Sequence, residues 1–305
     1  MIPSSPRPLR HWLGLAILVA VWGSSFAMTK LAVQTISPAY VVALRMWVSV
    51  AVIAPLLLLR GEKIKGGWRI WPWYILLGVI GNIIPFLLIT WGTRHITSGL
   101  AGILMGMVPL VVVTLAHFFI PGERLTTRKA LGFFIGFAGV IVLIGPSALL
   151  NISRSGMALL AQVAILGATL CYAAHTITAR IMPPQNTYQK TFGVLLSAAI
   201  ISVPVALVMS PQGLAGASTL ALSMTVLLGI FPTAIAGLIL FWLINEAGPS
   251  FVSVSNYLIP AFALGLGVVW LDEHLSLRIL AGFALILTGV WISQMQQGRM
   301  AAQSS

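Results

Sequence analysis

Residues 123–139 read ERLTTRKALGFFIGFAG, and residues 273–289 read EHLSLRILAGFALILTG. Glu123, Leu125, Arg128, Gly132 and Gly139 of the first stretch fall on Glu273, Leu275, Arg278, Gly282 and Gly289 of the second, 150 residues on. At an offset of 150–151 the match extends outward: Trp22 and Lys30 fall on Tyr172 and Arg180, Gly78 and Trp91 on Gly229 and Trp242, and Pro109 on Pro260. Chance can produce any one of these pairs. Several in register across five consecutive apolar segments indicate a duplicated chain.

The solvent of that chain is lipid. Of 305 residues 59% are hydrophobic and 7% charged, with a mean hydropathy of +1.02. A water-soluble domain needs about a quarter of its residues charged to cover its surface, and five acidic residues cannot do so. Ten apolar runs are each near the length of about 20 residues that a bilayer demands: 12–34, 38–59, 71–93, 97–120, 127–146, 156–181, 188–209, 218–245, 249–271 and 276–296. The first continues past Met28, too long for a signal-peptide core, and is expected to be retained. The short connections leave no room for a soluble catalytic or nucleotide-binding domain. With no G-x-x-x-x-G-K-[ST] run in the chain, direct ATP drive is not expected. Cys171 is the single cysteine, so no internal disulfide can form.

The net charge of +12 is read as Lys and Arg gathered in cytoplasmic loops, not as a nucleic-acid surface. With the N-terminus inside, the inner segments collect twelve of the seventeen basic residues, so both termini are predicted cytoplasmic. Residues 12–146 form the first repeat and 156–296 the second, between tails 1–11 and 297–305. Five helices per repeat is an odd number, so the second copy enters the membrane from the opposite side. The fold class is an all-α polytopic membrane protein of ten transmembrane helices in two inverted five-helix repeats. Such a pair can open to either side at comparable energy around a site between the halves.

With those residues in view, the sequence resembles the EamA-type exporters of the drug/metabolite transporter superfamily. The first span carries Trp22-Gly23-Ser24-Ser25-Phe26 and Lys30, the second Pro38 and Arg45, and the fourth Pro109 and the Glu123 block. The second copy repeats Pro260 and the Glu273 block but has Leu271-Asp272 where the first has Pro121-Gly122. The resemblance covers nearly the whole chain. It implies a central cavity and export of small metabolites, often amino acids, from a bacterial plasma (inner) membrane without ATP hydrolysis. The sequence is most similar to bacterial amino-acid exporters, including those for aromatic amino acids.

Polar groups in hydrocarbon are costly unless paired or lining water, which makes the polar positions inside spans candidates for substrate contact. Asn82 is one, its amide able to bind an ammonium or carboxylate, or else a neighbouring helix. Tyr172 and His175 share one helix face, and Trp22 lies mid-span where its indole can stack on cargo or fill core. Asn256 and Tyr257 precede Pro260, whose missing N–H frees an upstream carbonyl. Met107 precedes Pro109 and suits varied apolar ligands. Pro85, Pro109, Pro232 and Pro260 are candidate helix breaks or gates. Arg45 is assigned a structural role, by snorkelling or pairing in the bundle, although in a cavity it would attract a carboxylate. Lys30 is expected to snorkel. All five acids fall in loops or at helix ends, which disfavours coupling through a carboxylate relay; Glu123 and Glu273 are expected to cap or to pair with Arg128 and Arg278.

These residues point to a carrier that takes a small-molecule substrate, an amino acid or related metabolite, in a lipid bilayer. No catalytic residues, metal, cofactor or nucleic-acid partner are expected, and its Gly-x-x-x-Gly faces are expected to join helices within the chain, with a homodimer as the alternative. The alternatives are export of apolar drug-like cargo, a passive channel and a membrane-embedded lipid-modifying enzyme. The last is disfavoured because no carboxylate cluster, metal-spaced histidines or activated nucleophile is present.

Overall fold

The computed structural model describes residues 8–61, 67–123, 125–145 and 152–294. Among them, nine helices are long and apolar enough to cross a bilayer: α1 (Leu9–Ala32), α2 (Pro38–Leu59), α3 (Gly67–His95), α4 (Ser98–Phe119), α5 (Thr127–Ile144), α6 (Gly156–Ile181), α7 (Thr187–Met209), α8 (Thr219–Ala247) and α10 (Leu277–Gln294). A shorter apolar helix, α9 (Ser255–Leu271), follows a single turn at Pro249–Val252. The continuous ninth span expected over 249–271 is therefore interrupted, at residues 253–254. The tails 1–7 and 295–305 and Glu62 lie outside the described residues.

Short polar connectors set the helix starts. Ser37, Thr97, Thr126 and Ser218 each accept, through the side-chain oxygen, the backbone N–H three residues on, and Asn186 does so two residues on. Each cap satisfies a donor that would otherwise be orphaned at the helix start. The outer surface is apolar, with Leu277 85% and Val208 81% exposed, as lipid and not water requires.

The packing has the symmetry that the duplication predicts. Helix α5 runs along α10, α2 along α7 and α4 along α9; α1 lies on α8 and α9, as α6 lies on α3 and α4. Exchanging the repeats leaves that pattern unchanged. The glycines of the duplicated block explain the closest pair. A Cβ at Gly289 would stand 2.7 Å from the Gly136 backbone nitrogen, and one at Gly139 would stand 2.8 Å from the Gly282 carbonyl. These small faces are thus used within the chain, where backbones must approach closely.

Candidate functional site

Two π-helical segments interrupt the long spans, Val79–Ile83 in α3 and Gly229–Ile235 in α8. They are repeat-related. In each the backbone slips by one residue: Ile84 N–H bonds to Val79 O and Ala236 N–H to Phe231 O, five residues back. Single-turn insertions of this kind frequently sit at functional sites. Proline is the local cause. Pro85 opens the helical turn after the first segment and Pro232 lies inside the second; neither has an N–H to return to the preceding turn. The Leu228 carbonyl four residues before Pro232 instead receives the Thr233 hydroxyl at 2.9 Å. A glycine stands at the start of each segment, Gly78 just before the first and Gly229 as the first residue of the second. Gly78 packs on the Val194 carbonyl of α7, and Gly229 on Val48 and the Arg45 carbonyl of α2.

A connected set of side chains spans five helices at this level. Trp22 of α1 donates its indole N–H to Pro232 O at 3.0 Å. Arg45 of α2, only 6% exposed, donates from Nε to Thr233 Oγ1 at 2.7 Å and lies with Cζ 3.8 Å from the centre of the Phe86 ring. Phe86 of α3 meets Tyr172 of α6 edge-on at 6.5 Å. One turn along α6, the His175 ring lies over Gly81, so close that a Cβ there would be 2.8 Å from Nε2. Asn82 is next in the chain, half-buried. Ser49 donates to the Arg45 and Gly229 carbonyls, at 2.6 and 3.0 Å.

Trp22, Asn82, Tyr172, His175, Pro85 and Pro232 are thus brought to one level. Met107, Asn256 and Tyr257 are not part of that set. Met107 is buried and lines an apolar cleft of about 230 Å³ with Val111, Phe133, Phe137 and Leu166. The Tyr257 hydroxyl bonds Gln294 of α10 at 2.9 Å. Pro109 follows a turn at residues 106–107 that divides α4. Pro260 packs on Gly106, but α9 runs through it, and the interruption of that span falls earlier.

Arg45, Phe86 and Thr233 were not among the residues expected to line the site. The signals were present: an arginine inside an apolar span, and a hydroxyl directly after a mid-span proline. Lys30 also departs from expectation. It turns inward, donating to the Thr93 and Ile96 carbonyls at 2.9 and 2.8 Å, where a cation suits the C-terminus of α3.

The described carboxylates lie at helix ends. Glu246 pairs with Arg10 at 2.9 Å. Glu123 pairs with Lys129 and Arg180 at 3.5 and 3.3 Å, instead of the expected Arg128. Glu273 does cap a helix, but α4 of the other repeat, accepting the Ser98 and Gly99 N–H groups at 2.6 and 2.9 Å; Arg278 lies instead against Gly145. Among the described residues no three His, Cys, Asp or Glu side chains converge as metal ligands.

Duplicated apolar helices, nine of them among the described residues long enough to cross a bilayer, define a multi-pass membrane protein. A sequence model of the EamA-like transporter family matches this chain twice, over residues 10–145 and 159–295, and the chain belongs to that family. It is 30% identical to an uncharacterized transporter of Archaeoglobus fulgidus, across 93% of this chain and 98% of the relative. It is 25% identical to a protein of Streptantibioticus cattleyicolor named "Probable terminal-alkyne amino-acid exporter", across 91% of each chain. A solved crystal structure at 20% identity matches with a TM-score of 0.66 over 94% of this chain and 98% of the other, and shares its fold. The protein is accordingly a transporter and not an enzyme.

Proposed function

We propose that the chain is a carrier exporting amino acids or similar small metabolites from the cytoplasm by alternating access. It resides in the bacterial inner membrane with both termini cytoplasmic. The observation that carries this reading is the polar and aromatic set of Trp22, Arg45, Asn82, Tyr172, His175 and Thr233, gathered at the two repeat-related π segments. A helix with one residue inserted is locally weaker in its hydrogen bonding and can change its bend there. Two such points, one per repeat, give each half a hinge at the depth of the substrate. The relative named as an amino-acid exporter supports the substrate class.

Transport is uncoupled or weakly coupled. All described carboxylates are committed to helix ends or loops, which leaves no acidic relay at the cluster. Purified protein in liposomes, assayed with labelled amino acids, tests the proposal: saturable uptake stimulated by substrate on the opposite side is expected, and no saturable flux of any amino acid overturns it.

Export of apolar cargo is a second reading, favoured by the cleft of about 230 Å³ beside Met107, whose lining is Val, Leu, Phe and Thr. Flux of apolar cations or neutral drugs in the same liposomes, unaffected by amino acids, distinguishes it.

A further inference from the structure

Arg45 is buried, held on two sides and unpartnered on the third among the described residues. Its Nε edge is occupied by the Thr233 hydroxyl at 2.7 Å and one guanidinium face by Phe86 at 3.8 Å. Its two η nitrogens have no acceptor among the described residues. Neither is sealed: the fully enclosed side-chain atoms lacking a partner belong to His11, Ser98, Gln162 and Ser197. A guanidinium that only tied α2 to α3 and α8 would turn its remaining donors to backbone carbonyls, as Lys30 does. Here the donors that form a two-pronged fork are left without a partner among the described residues.

Among the described residues the charge also lacks a counter-ion. The ion pairs among the described residues use Arg10, His11, Lys129 and Arg180, and Glu273 is committed to the α4 N-terminus. The groups that meet Arg45 are neutral: the Thr233 hydroxyl at Nε and Phe86 on one face, with the Tyr172 ring beyond Phe86. A buried cation without a partner is costly, and a carboxylate arriving with its own geometry is what a guanidinium fork pairs with best.

We propose that Arg45 binds the carboxylate of the transported molecule through its two η nitrogens, and that the substrates are small monocarboxylates with an apolar or aromatic body. This rests on the carrier reading above and narrows its substrate class. One positive charge set among neutral groups matches one negative charge; a dianion would bring a second that nothing at the site offsets. Among the described residues no acidic side chain stands at this level for an ammonium, since the carboxylates are held at helix ends. A carboxylate is therefore required and an ammonium is dispensable, so amino acids are one case of a wider class. Helix α2 becomes part of the binding site through this residue.

The test compares three probes of like body on purified protein in nanodiscs, by thermal shift and tryptophan fluorescence: L-phenylalanine, 3-phenylpropionate, which lacks the ammonium, and L-phenylalaninamide, which lacks the carboxylate. The two acids are expected to bind and the amide not to. Arg45→Gln is expected to abolish binding of both acids, and Arg45→Lys to weaken it by about tenfold or more, since a point charge cannot reproduce the fork. Thr233→Val keeps the charge but frees Nε. It is expected to weaken both acids severalfold without admitting the amide, which covers the case where Arg45→Gln does not fold. Equal binding of amide and acid, no binding of either acid, or Arg45→Gln and Thr233→Val that bind the acids as the wild type does, would each overturn the proposal. Wild type that binds 3-phenylpropionate through Arg45 yet transports no amino acid overturns the amino-acid reading alone. Amino-acid transport indifferent to Arg45→Gln overturns this inference alone.

Discussion

Glu273, in the connection between α9 and α10, accepts the backbone N–H of Ser98 at 2.6 Å, so a carboxylate of the second repeat caps the first turn of α4 in the first. The Gly99 N–H joins it at 2.9 Å. An acid at a helix N-terminus gains from both the orphaned donors and the helix dipole. Lys30, on the repeat-related partner of the helix that carries Arg180, stands near enough to interact with Glu273 electrostatically.

Glu273→Ala is accordingly expected to destabilise the protein by about 1–2 kcal/mol and Glu273→Gln by about half of that, since the amide oxygen still accepts. Among the described residues, the carboxylate of its repeat counterpart Glu123 meets the Lys129 and Arg180 side chains, at 3.5 and 3.3 Å. Glu123→Ala is expected to cost less than about 1 kcal/mol, as for partly exposed ion pairs. Reversible unfolding in mixed micelles measures both, and equal losses at the two positions would contradict the assignment.

The α5–α10 contact supplies a steric prediction. A Cβ at Gly289 would lie 2.7 Å from the backbone nitrogen and 3.0 Å from the Cα of Gly136, atoms that cannot rotate away. Gly289→Ala is expected to destabilise by about 1–3 kcal/mol, the usual range for overpacking a rigid contact. At Gly265 an added Cβ meets nothing within 4 Å. Gly265→Ala is expected to be neutral or to stabilise by about 0.5–1 kcal/mol through helix propensity. The difference in melting temperature between the two variants is the measurement.

Trp22 reaches the π segment of α8 through one hydrogen bond, its indole N–H to Pro232 O at 3.0 Å. Trp22→Phe keeps an aromatic ring and removes that donor. A stability loss of about 0.5–1.5 kcal/mol is expected, together with a raised KM if the ring is positioned by the bond. Trp22→Leu is expected to lose more, because ring area goes as well. A Phe variant indistinguishable from wild type in both stability and KM would show that the bond does not position the ring.

The repeat was readable because the Glu-x-Leu block and the glycines after it are demanded by geometry: a cap or ion pair at the helix start, then backbones in contact at Gly132, Gly139, Gly282 and Gly289. The π segments were not, since one inserted residue leaves hydropathy unchanged, and Pro85 and Pro232 read equally as simple kinks. Arg45 looked structural because an arginine two turns inside a span can reach the surface. It does pair within the bundle, through Nε to Thr233 and one face on Phe86, and the partners it takes there are not legible in hydropathy. Asn256 and Tyr257 were drawn to the site by proximity to Pro260 in sequence, whereas the Tyr257 hydroxyl is taken by Gln294.

His175 and Gly81 are complementary in size: with no side chain at Gly81, the imidazole lies directly over the first π segment, and an added Cβ would be 2.8 Å from its Nε2. Gly81→Ala is therefore expected to displace the ring and lower both stability and uptake. His175→Ala vacates the same space, so Gly81→Ala/His175→Ala should be closer to wild type in stability than the sum of the single changes, by about 1 kcal/mol or more for residues in direct contact. Strict additivity would mean the ring does not occupy that position. The same variants address coupling. In the uncoupled reading, His175→Ala alters substrate affinity but leaves uptake indifferent to an imposed pH gradient, as in the wild type. Wild-type uptake that requires the gradient, with the requirement lost in His175→Ala, would replace that reading with a histidine-coupled exporter.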